Sequence, residues 1–578
     1  MNDYKFGNIL TELRKAKHLS QKELGHLLSV SDKAVSRWEN GNAKPRASIL
    51  PKLAKILGVS VDRLLGGNDT TTVTAVTPAS GDFIVKKRLG SSVPDTAKVN
   101  FIPKESTPNG NYLCTWHMQE SAADKLSLTA INGTVRMRDT LTEQNLFDTE
   151  EFFHPYSHEY RKGLIFLIDD GWDVPFGVDA SEPIFGLVEP DREKFASMGN
   201  TPEERLIEMS RKVKEMGYVG LGLWISPNNL NATQPFSMDV ARKYWEDRAK
   251  WCNAADVRYW KCDWGTFSRY PGYREMMTEC VRKYAPNLLI EHARGFLPFH
   301  DMSNNQCVVD MCKAFEYSDV LRTYDVQPPF ADVETYLRVH KLLTGIDKSK
   351  VRHNAKGLVN VESQPMVAAG LSMNIGIMSL SYETEALLRW QRICPPFAAT
   401  ETDYTTSEEM VVDRLRFDVQ PSDWRNIQWS EFSVEVPMVA ARGTKLPIVT
   451  SNGEKPIILA SKHPTEQALC VSALRRNIDP NRNIAVPCDV TIYPESLKTT
   501  VGVFGIYNSL TLEFPSQVPK SATVWSQCLL DDVSVNITDH AEIKDNQITI
   551  DGLLLRRLGH KSGEKLQEHE PALIIKIC

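Results

Sequence analysis

Residues 164–172 read Leu164-Ile165-Phe166-Leu167-Ile168-Asp169-Asp170-Gly171-Trp172. Five apolar residues without a polar break suit a strand covered on both faces, as in a parallel sheet with its crossovers packed on top. The run stops on two carboxylates, a glycine and an indole, so polar groups gather where the strand ends. Working outward, the same punctuation recurs. Tyr112 to Met118 is a strand candidate upstream. Downstream, Val219 to Ile225 leads into Ser226-Pro227, and Val257 to Lys261 leads into Cys262-Asp263-Trp264-Gly265. Leu288 to Glu291 is followed by His292-Ala293-Arg294-Gly295, and Ser318 to Thr323 is a further strand candidate.

Helical segments separate these runs. Thr201-Pro202-Glu203-Glu204 combines a cap, a first-turn proline and a capping-box glutamate. Leu206, Met209, Val213 and Met216 supply the apolar stripe, and Gly217 closes it. Val240–Trp251, Tyr273–Tyr284 and Asp332–Leu343 read the same way. A strand–helix rhythm over residues 110–404 predicts a (β/α)8 TIM barrel, in which chemistry sits at the C-terminal strand ends. Local pattern alone would equally suit a doubly wound open sheet. From residue 405 the pattern becomes short alternating strands, including 500–514 and 541–555 with a turn at Asp545-Asn546. We read 405–578 as an antiparallel β-sandwich closing one side of the barrel. Residues 81–109 are too short for a domain and are expected to pack on the barrel as edge strands.

The first 66 residues differ in kind. They carry 12 Lys/Arg against 6 Asp/Glu, a net of +6, whereas the whole 578-residue chain has a net charge of −6. A basic head on an acidic body fits a polyanion-binding module joined to something with another task. Helices are expected over Phe6–Ala16, Gln21–Leu28, Asp32–Asn40, Ser48–Leu57 and Ser60–Leu65, an all-α head. Ser20 with Glu23 has capping-box spacing, and Ser31 can cap the third helix. Leu19-Ser20-Gln21-Lys22-Glu23-Leu24, Val30-Ser31 and Val35-Ser36-Arg37-Trp38-Glu39-Asn40-Gly41 resemble the Cro/repressor-type (XRE) helix-turn-helix family. The resemblance implies that residues 32–40 enter the major groove of double-stranded DNA. Lys33, Ala34 and Arg37 would face base edges, and Gln21, Ser31 and Asn40 would contact phosphate. It also implies a homodimer on a two-fold operator. Residues 67–80, Thr-rich and polar, read as a linker.

At 42% hydrophobic and 24% charged the composition is that of an ordinary globular protein, and no run approaches a membrane span. The first ten residues carry Asp3 and Lys5 without an apolar signal core, and eleven scattered cysteines form no disulfide framework. The expectation is a cytoplasmic protein without a membrane partner.

The strand-end residues of the body resemble the α-galactosidase (melibiase) clan of glycoside hydrolases. Ile168-Asp169-Asp170-Gly171-Trp172 looks like the family's signature for gripping the 4- and 6-hydroxyls of galactose. Gly222-Leu223-Trp224-Ile225-Ser226-Pro227 would place Trp224 in the sugar-binding wall. Trp260-Lys261-Cys262-Asp263-Trp264 looks like its Lys-x-Asp motif, with Asp263 the nucleophile and Lys261 a hydroxyl ligand. Leu113-Cys114-Thr115-Trp116 is similar to the first barrel strand of the related raffinose synthases. For the acid/base, Arg322-Thr323-Tyr324-Asp325 fits the pattern of a pocket arginine preceding the acid, which favours Asp325 over Asp319. His292 and Arg294 stand where relatives often have a Cys- and Gly-rich loop, and would alter the surroundings of the 2-hydroxyl.

The resemblance implies a retaining glycosidase on α-galactosides or related α-glycosides, with a carbohydrate substrate and neither cofactor nor metal. A transglycosylase would differ only in its acceptor. The competing class is a sugar-responsive transcriptional regulator whose barrel senses its ligand with weak or no catalysis.

Overall fold

The computed structural model describes residues 10–57, except 12, 16–18, 29, 40–43 and 46–48. It also describes 99–578, except 129–132, 179–185, 229–235, 269, 271, 294–304, 324–330, 379–380, 420–427, 480–481 and 562–568. Two units divide the chain, Met1–Ser92 and Val93–Cys578. The linker at 67–80 and the expected helix at 60–65 lie outside the described residues.

In the larger unit the apolar runs form eight strands: β1 (Tyr112–Cys114), β2 (Ile165–Ile168), β3 (Gly220–Ile225), β4 (Tyr259–Cys262), β5 (Leu289–Ala293), β6 (Val320–Arg322), β7 (Leu358–Asn360) and β8 (Gly376–Ile377). All pair in parallel, in the order β7-β6-β5-β4-β3-β2-β1-β8. A parallel bridge, Asn360 to Asn374, joins β7 to the residues entering β8, so the sheet is nearly closed on itself. A helix follows each strand: Trp116–Lys125, Pro202–Glu215, Met238–Ala254, Tyr273–Tyr284, Asn305–Phe315, Ala331–Gly345, Pro365–Leu371 and Tyr382–Trp390. The first strand is shorter than expected, because Thr115 takes helical backbone angles and the chain is helical from Trp116. At Thr201 both halves of the capping box are made: Thr201 Oγ1 accepts from Glu204 N–H at 3.2 Å, and Glu204 Oε2 accepts from Thr201 N–H at 3.1 Å.

Strand alternation then sorts the core. Tyr112, Cys114, Ile165, Leu167, Trp224, Tyr259 and Val320 pack together in the lumen. Their neighbours Leu113, Phe166, Ile168, Leu223, Ile225, Trp260 and Leu321 join the layer beneath the helices. A period of two therefore separates lumen from helix layer on every long strand.

The C-terminal region holds an eight-stranded and a five-stranded sheet that share one apolar core with the helix layer. The sheets are mixed rather than antiparallel. Ala468–Leu474 pairs in parallel with Thr500–Phe504, and Asp489–Ile492 with Ser509–Glu513. In chain order these strands alternate between the two sheets. Two reversals bring each strand back to its own sheet in its original direction, which local alternation cannot reveal. The stretch expected to continue as strand through residue 555 ends at Asp551, which caps a helix over Gly552–Leu558.

Residues 99–109 form no strand, contrary to expectation, and 81–98 lie outside the described residues. The segment is instead a strap held by side chains. Ser534 Oγ donates to Val99 O at 2.7 Å, Phe101 N–H to Gln527 Oε1 at 2.8 Å, and Arg392 Nη1 to Pro103 O at 3.3 Å. Among the described residues no helix is long and apolar enough to cross a membrane.

Helix Pro365–Leu371 is buried against the eight-stranded sheet. A Cβ on Gly370 would stand 2.6 Å from Leu459 Cβ and 2.9 Å from Ser472 Cβ, so only glycine permits this approach. Gly370→Ala is expected to lower stability by about 1–3 kcal/mol through overpacking, read as a fall in thermal midpoint of the full chain.

Candidate functional site

Side chains that alternation turns into the lumen stack in layers. In the lower one, Glu291 accepts from Tyr112 OH at 3.2 Å, Tyr259 OH at 2.7 Å and Asn360 Nδ2 at 2.7 Å. Burial pushes this carboxyl above its ordinary value against the pull of Arg322, Asn360 and Tyr259.

Above it lie two cation nodes. Lys261 Nζ donates to Asp169 Oδ2 at 2.7 Å, and the Cys114 thiol donates to the same oxygen at 3.0 Å. Burial pulls the lysine down, but Asp169 outweighs it and the ammonium is held above its ordinary value. The second node is Arg322, fully buried at the end of β6. Its Nη2 lies 2.9 Å from Asp263 Oδ1 and its Nε 3.3 Å from Glu291 Oε1, while Nη1 pairs with Glu362 Oε1. Glu362 follows β7 with φ +50, a left-handed conformation that costs a non-glycine residue energy.

Asp263 sits directly after β4, where Trp224 Nε1 donates to its Oδ2 at 3.0 Å. Arg274 donates to its backbone carbonyl and, at 2.9 Å, to that of Cys262, which fixes the strand end. Burial pushes the Asp263 carboxyl up, but Arg322, Lys261 and the Trp224 indole N–H outweigh it. The net result lies below the ordinary value. The site thus contains a buried carboxylate kept ionised, with a second carboxylate–ammonium pair nearby. That combination can attack or stabilise an electron-poor carbon.

The structure brings together Asp169, Trp224, Lys261, Asp263 and Arg322 from the sequence-derived set. Asp170 is adjacent, held bidentately by Arg138 Nε at 3.1 Å and Nη2 at 2.7 Å, and raised by burial despite that pair. Two residues do not join the lumen. Trp172 is buried in the helix-side layer, with its indole N–H on Trp224 O at 3.1 Å. His292 follows inward-facing Glu291 and therefore points outward, to Thr278 Oγ1 at 2.8 Å and Arg274 Nη1 at 3.4 Å.

Asp319 lies at the opposite end of β6, where its Oδ2 takes Ile290 N–H at 3.0 Å and Arg282 Nη1 at 2.6 Å. It is a structural anchor there. Asp325 and Arg294 lie outside the described residues. Glu291, Asn360 and the two tyrosines were missed as site residues, although the period of two through Tyr259, Lys261 and Asp263 points inward. Arg138 and Glu362 lie off the strands and carry no such signal.

In the head, helices Gln21–Leu28 and Asp32–Glu39 meet over Leu24, Leu28, Val35 and Trp38. Arg14 Nε and Nη2 reach Glu39 at 2.6 and 3.0 Å, and Gln21 Nε2 donates to the same carboxylate at 2.6 Å. Gln21 is thus engaged within the head rather than presented outward. Ser31 Oγ accepts from Ala34 N–H at 3.2 Å and caps the second helix. Lys33 and Arg37 are exposed, Ala34 is half-buried against the core, and Asn40 lies outside the described residues.

Residues 10–64 match the helix-turn-helix family model. The head is a helix-turn-helix domain. Over 68 residues the chain is 37% identical to the HTH-type transcriptional activator BcrR of Enterococcus faecalis, covering 12% of this chain and 33% of that protein. Over 62 residues it is 39% identical to the SPbeta prophage-derived uncharacterized HTH-type transcriptional regulator YonR of Bacillus subtilis (strain 168), covering 11% and 57%. The chain therefore spans between a third and three-fifths of these relatives. Among solved structures it is similar to the P22 c2 repressor in complex with a synthetic operator, at 35% identity over 11% of this chain and 96% of that one, TM-score 0.11. The controller protein C.AhdI of Aeromonas hydrophila matches with the same identity, coverage and score.

Arg322→Met removes the cation shared by Asp263, Glu291 and Glu362. It is expected to destabilise the larger unit by about 3–5 kcal/mol at neutral pH. The carboxyl values rise without the cation, so protonation relieves the repulsion and the loss shrinks as pH falls toward about 4.5. Denaturant unfolding of both proteins at the two pH values checks this.

Proposed function

We propose that the nearly closed sheet is a (β/α)8 TIM barrel acting as a retaining glycoside hydrolase on α-galactosides or related α-glycosides. The carrying observation is Asp263, a buried carboxylate kept ionised at the C-terminal end of β4, beside Arg322 and the Lys261–Asp169 pair. In this reading a carboxylate oxygen of Asp263 attacks the anomeric carbon while the bond to the leaving oxygen breaks. Asp325 supplies the proton that oxygen needs. Asp325 then takes a proton from water, whose oxygen displaces Asp263 and restores the free carboxylate. Asp169 and Lys261, together with Asp170 under Arg138, grip sugar hydroxyls, and Trp224 orients the nucleophile. No cofactor enters the balance.

The head supports a second function in the same chain. We infer that Lys33 and Arg37, exposed on helix Asp32–Glu39, contact double-stranded DNA, with the protein binding as a homodimer. The helix-turn-helix match also favours the alternative reading, a regulator whose barrel senses a sugar without turning it over.

Purified full-length protein assayed with activated aryl glycosides, α-galactoside first, separates the two. Hydrolysis that falls at least about a thousandfold in Asp263→Asn is the expected result. Sugar binding by calorimetry without turnover of any member would overturn the hydrolase and leave the sensor. For the head, Arg37→Ala is expected to cost about 1–3 kcal/mol in binding to a selected DNA site, measured by titration at fixed salt. Equal binding by the variant would remove Arg37 from the interface.

A further inference from the structure

The catalytic end is one of two mouths of the sheet. At the other, where the strands begin, lies a cavity of about 490 Å³. Its floor is apolar: Ile165 and Leu289 and Leu358 are the first residues of β2, β5 and β7, and Val219 precedes β3. Its rim carries Arg258, just before β4, and Lys356, two residues before β7. Asn287 adds an exposed amide between them in strand order. Among the described residues that line the cavity there is no carboxylate. Arg258 Nη1 is 3.4 Å from Asp256 Oδ1, but Asp256 is shared with Lys214 Nζ at 2.7 Å. Lys356 is exposed and makes no hydrogen bond or ion pair among the described residues.

We propose that this cavity is a second ligand site, for a small amphipathic anion: an apolar body of ring or short-chain size with one carboxylate or similar acidic group. The size is that of small-molecule sites, which are apolar with a few placed polar groups. An apolar body covers the four floor side chains, and the acidic group lies between the Arg258 guanidinium and the Lys356 ammonium. Neither cation belongs to the lumen nodes, so the site stands whether or not the other mouth hydrolyses glycosides.

Calorimetry of the full chain with 4-phenylbutyrate as probe tests the proposal. One site per chain is expected, with the neutral alcohol 4-phenylbutan-1-ol bound roughly tenfold or more weakly. Lys356→Glu, at an exposed position away from the catalytic end, is expected to weaken phenylbutyrate by roughly tenfold or more with an unchanged thermal midpoint. Saturating galactose is expected to leave the probe's affinity unchanged. Binding of equal strength in the variant, equal binding of the alcohol, displacement by galactose or no binding at all would each overturn the proposal.

Discussion

A single guanidinium holds the centre of the larger unit. Arg322 is the last residue of β6, has no exposed surface, and meets carboxylates carried after β4, on β5 and after β7. A buried cation without partners would cost several kcal/mol, and removing one partner leaves the others uncompensated. Four consecutive strands must therefore arrive in register at once. A one-residue slip of β6 would turn Arg322 out of the lumen and bring apolar Leu321 in. The observed pairing, Ala293 with Arg322 and Arg322 with Asn360, is the one in which the charge meets its three acids. Asp263, at the edge of this node, inherits its ionisation from the same constraint.

Much of this was legible along the chain because strand ends are local. The run from Leu164 to Ile168 stopped at Asp169, and the Lys261–Asp263 spacing put two charges on one face. Those residues do meet in the lumen. The capping box at Thr201 and helix Tyr273–Tyr284 were equally local, since caps and periodicity lie within a few residues. Where the placement of a residue departs from its local reading, the cause is long-range. His292 stands where the resembled family has a Cys- and Gly-rich loop, but facing is set by parity, and Glu291 takes the inward place. Trp172 was assigned by motif, whereas its ring is directed by packing under β3. Asp319 precedes β6 and is held there by Arg282 and the Ile290 N–H, while Asp325, which the resemblance favours, lies outside the described residues. Arg138 and Glu362 reach the site from loops, and no short-range pattern predicts such a long-range approach. The direction of the C-terminal strands depended on which sheet each strand joined, a choice invisible to alternation.

The head shows the same division between local and distant information. Its helix limits follow caps and turn residues, and Trp38 packs in the core as its spacing suggests. The family resemblance implies a phosphate contact for Gln21; within the head its amide donates to Glu39, eighteen positions away. That carboxylate is buried, which pushes it up. Arg14 and Gln21 more than offset the burial, so it stays ionised and ties Arg14 and the start of helix Gln21–Leu28 to the end of helix Asp32–Glu39. The exposed cations Lys33 and Arg37 are then the ones left facing outward on a helix whose inner side is spent on packing.

The nearly closed sheet carries an uneven balance of charge in its lumen. Among the described lumen groups, Lys261 and Arg322 face Asp169, Asp263, Glu291 and Glu362, while Asp170 is matched by Arg138. Carboxyl groups outnumber cations by two among these groups, and burial raises one of them, Glu291. Recognising a neutral sugar does not require this, because amides and hydroxyls bind hydroxyl groups without the desolvation cost of a charge. The hydrolase proposed above would use such an excess, since negative charge fixed in the lumen favours positive charge developing at the anomeric carbon. Left-handed strain at Glu362 adds a further cost at the same node, and costs concentrated at one node are characteristic of sites shaped for chemistry rather than for stability. The node at Arg322 thus collects buried charge and backbone strain in one place.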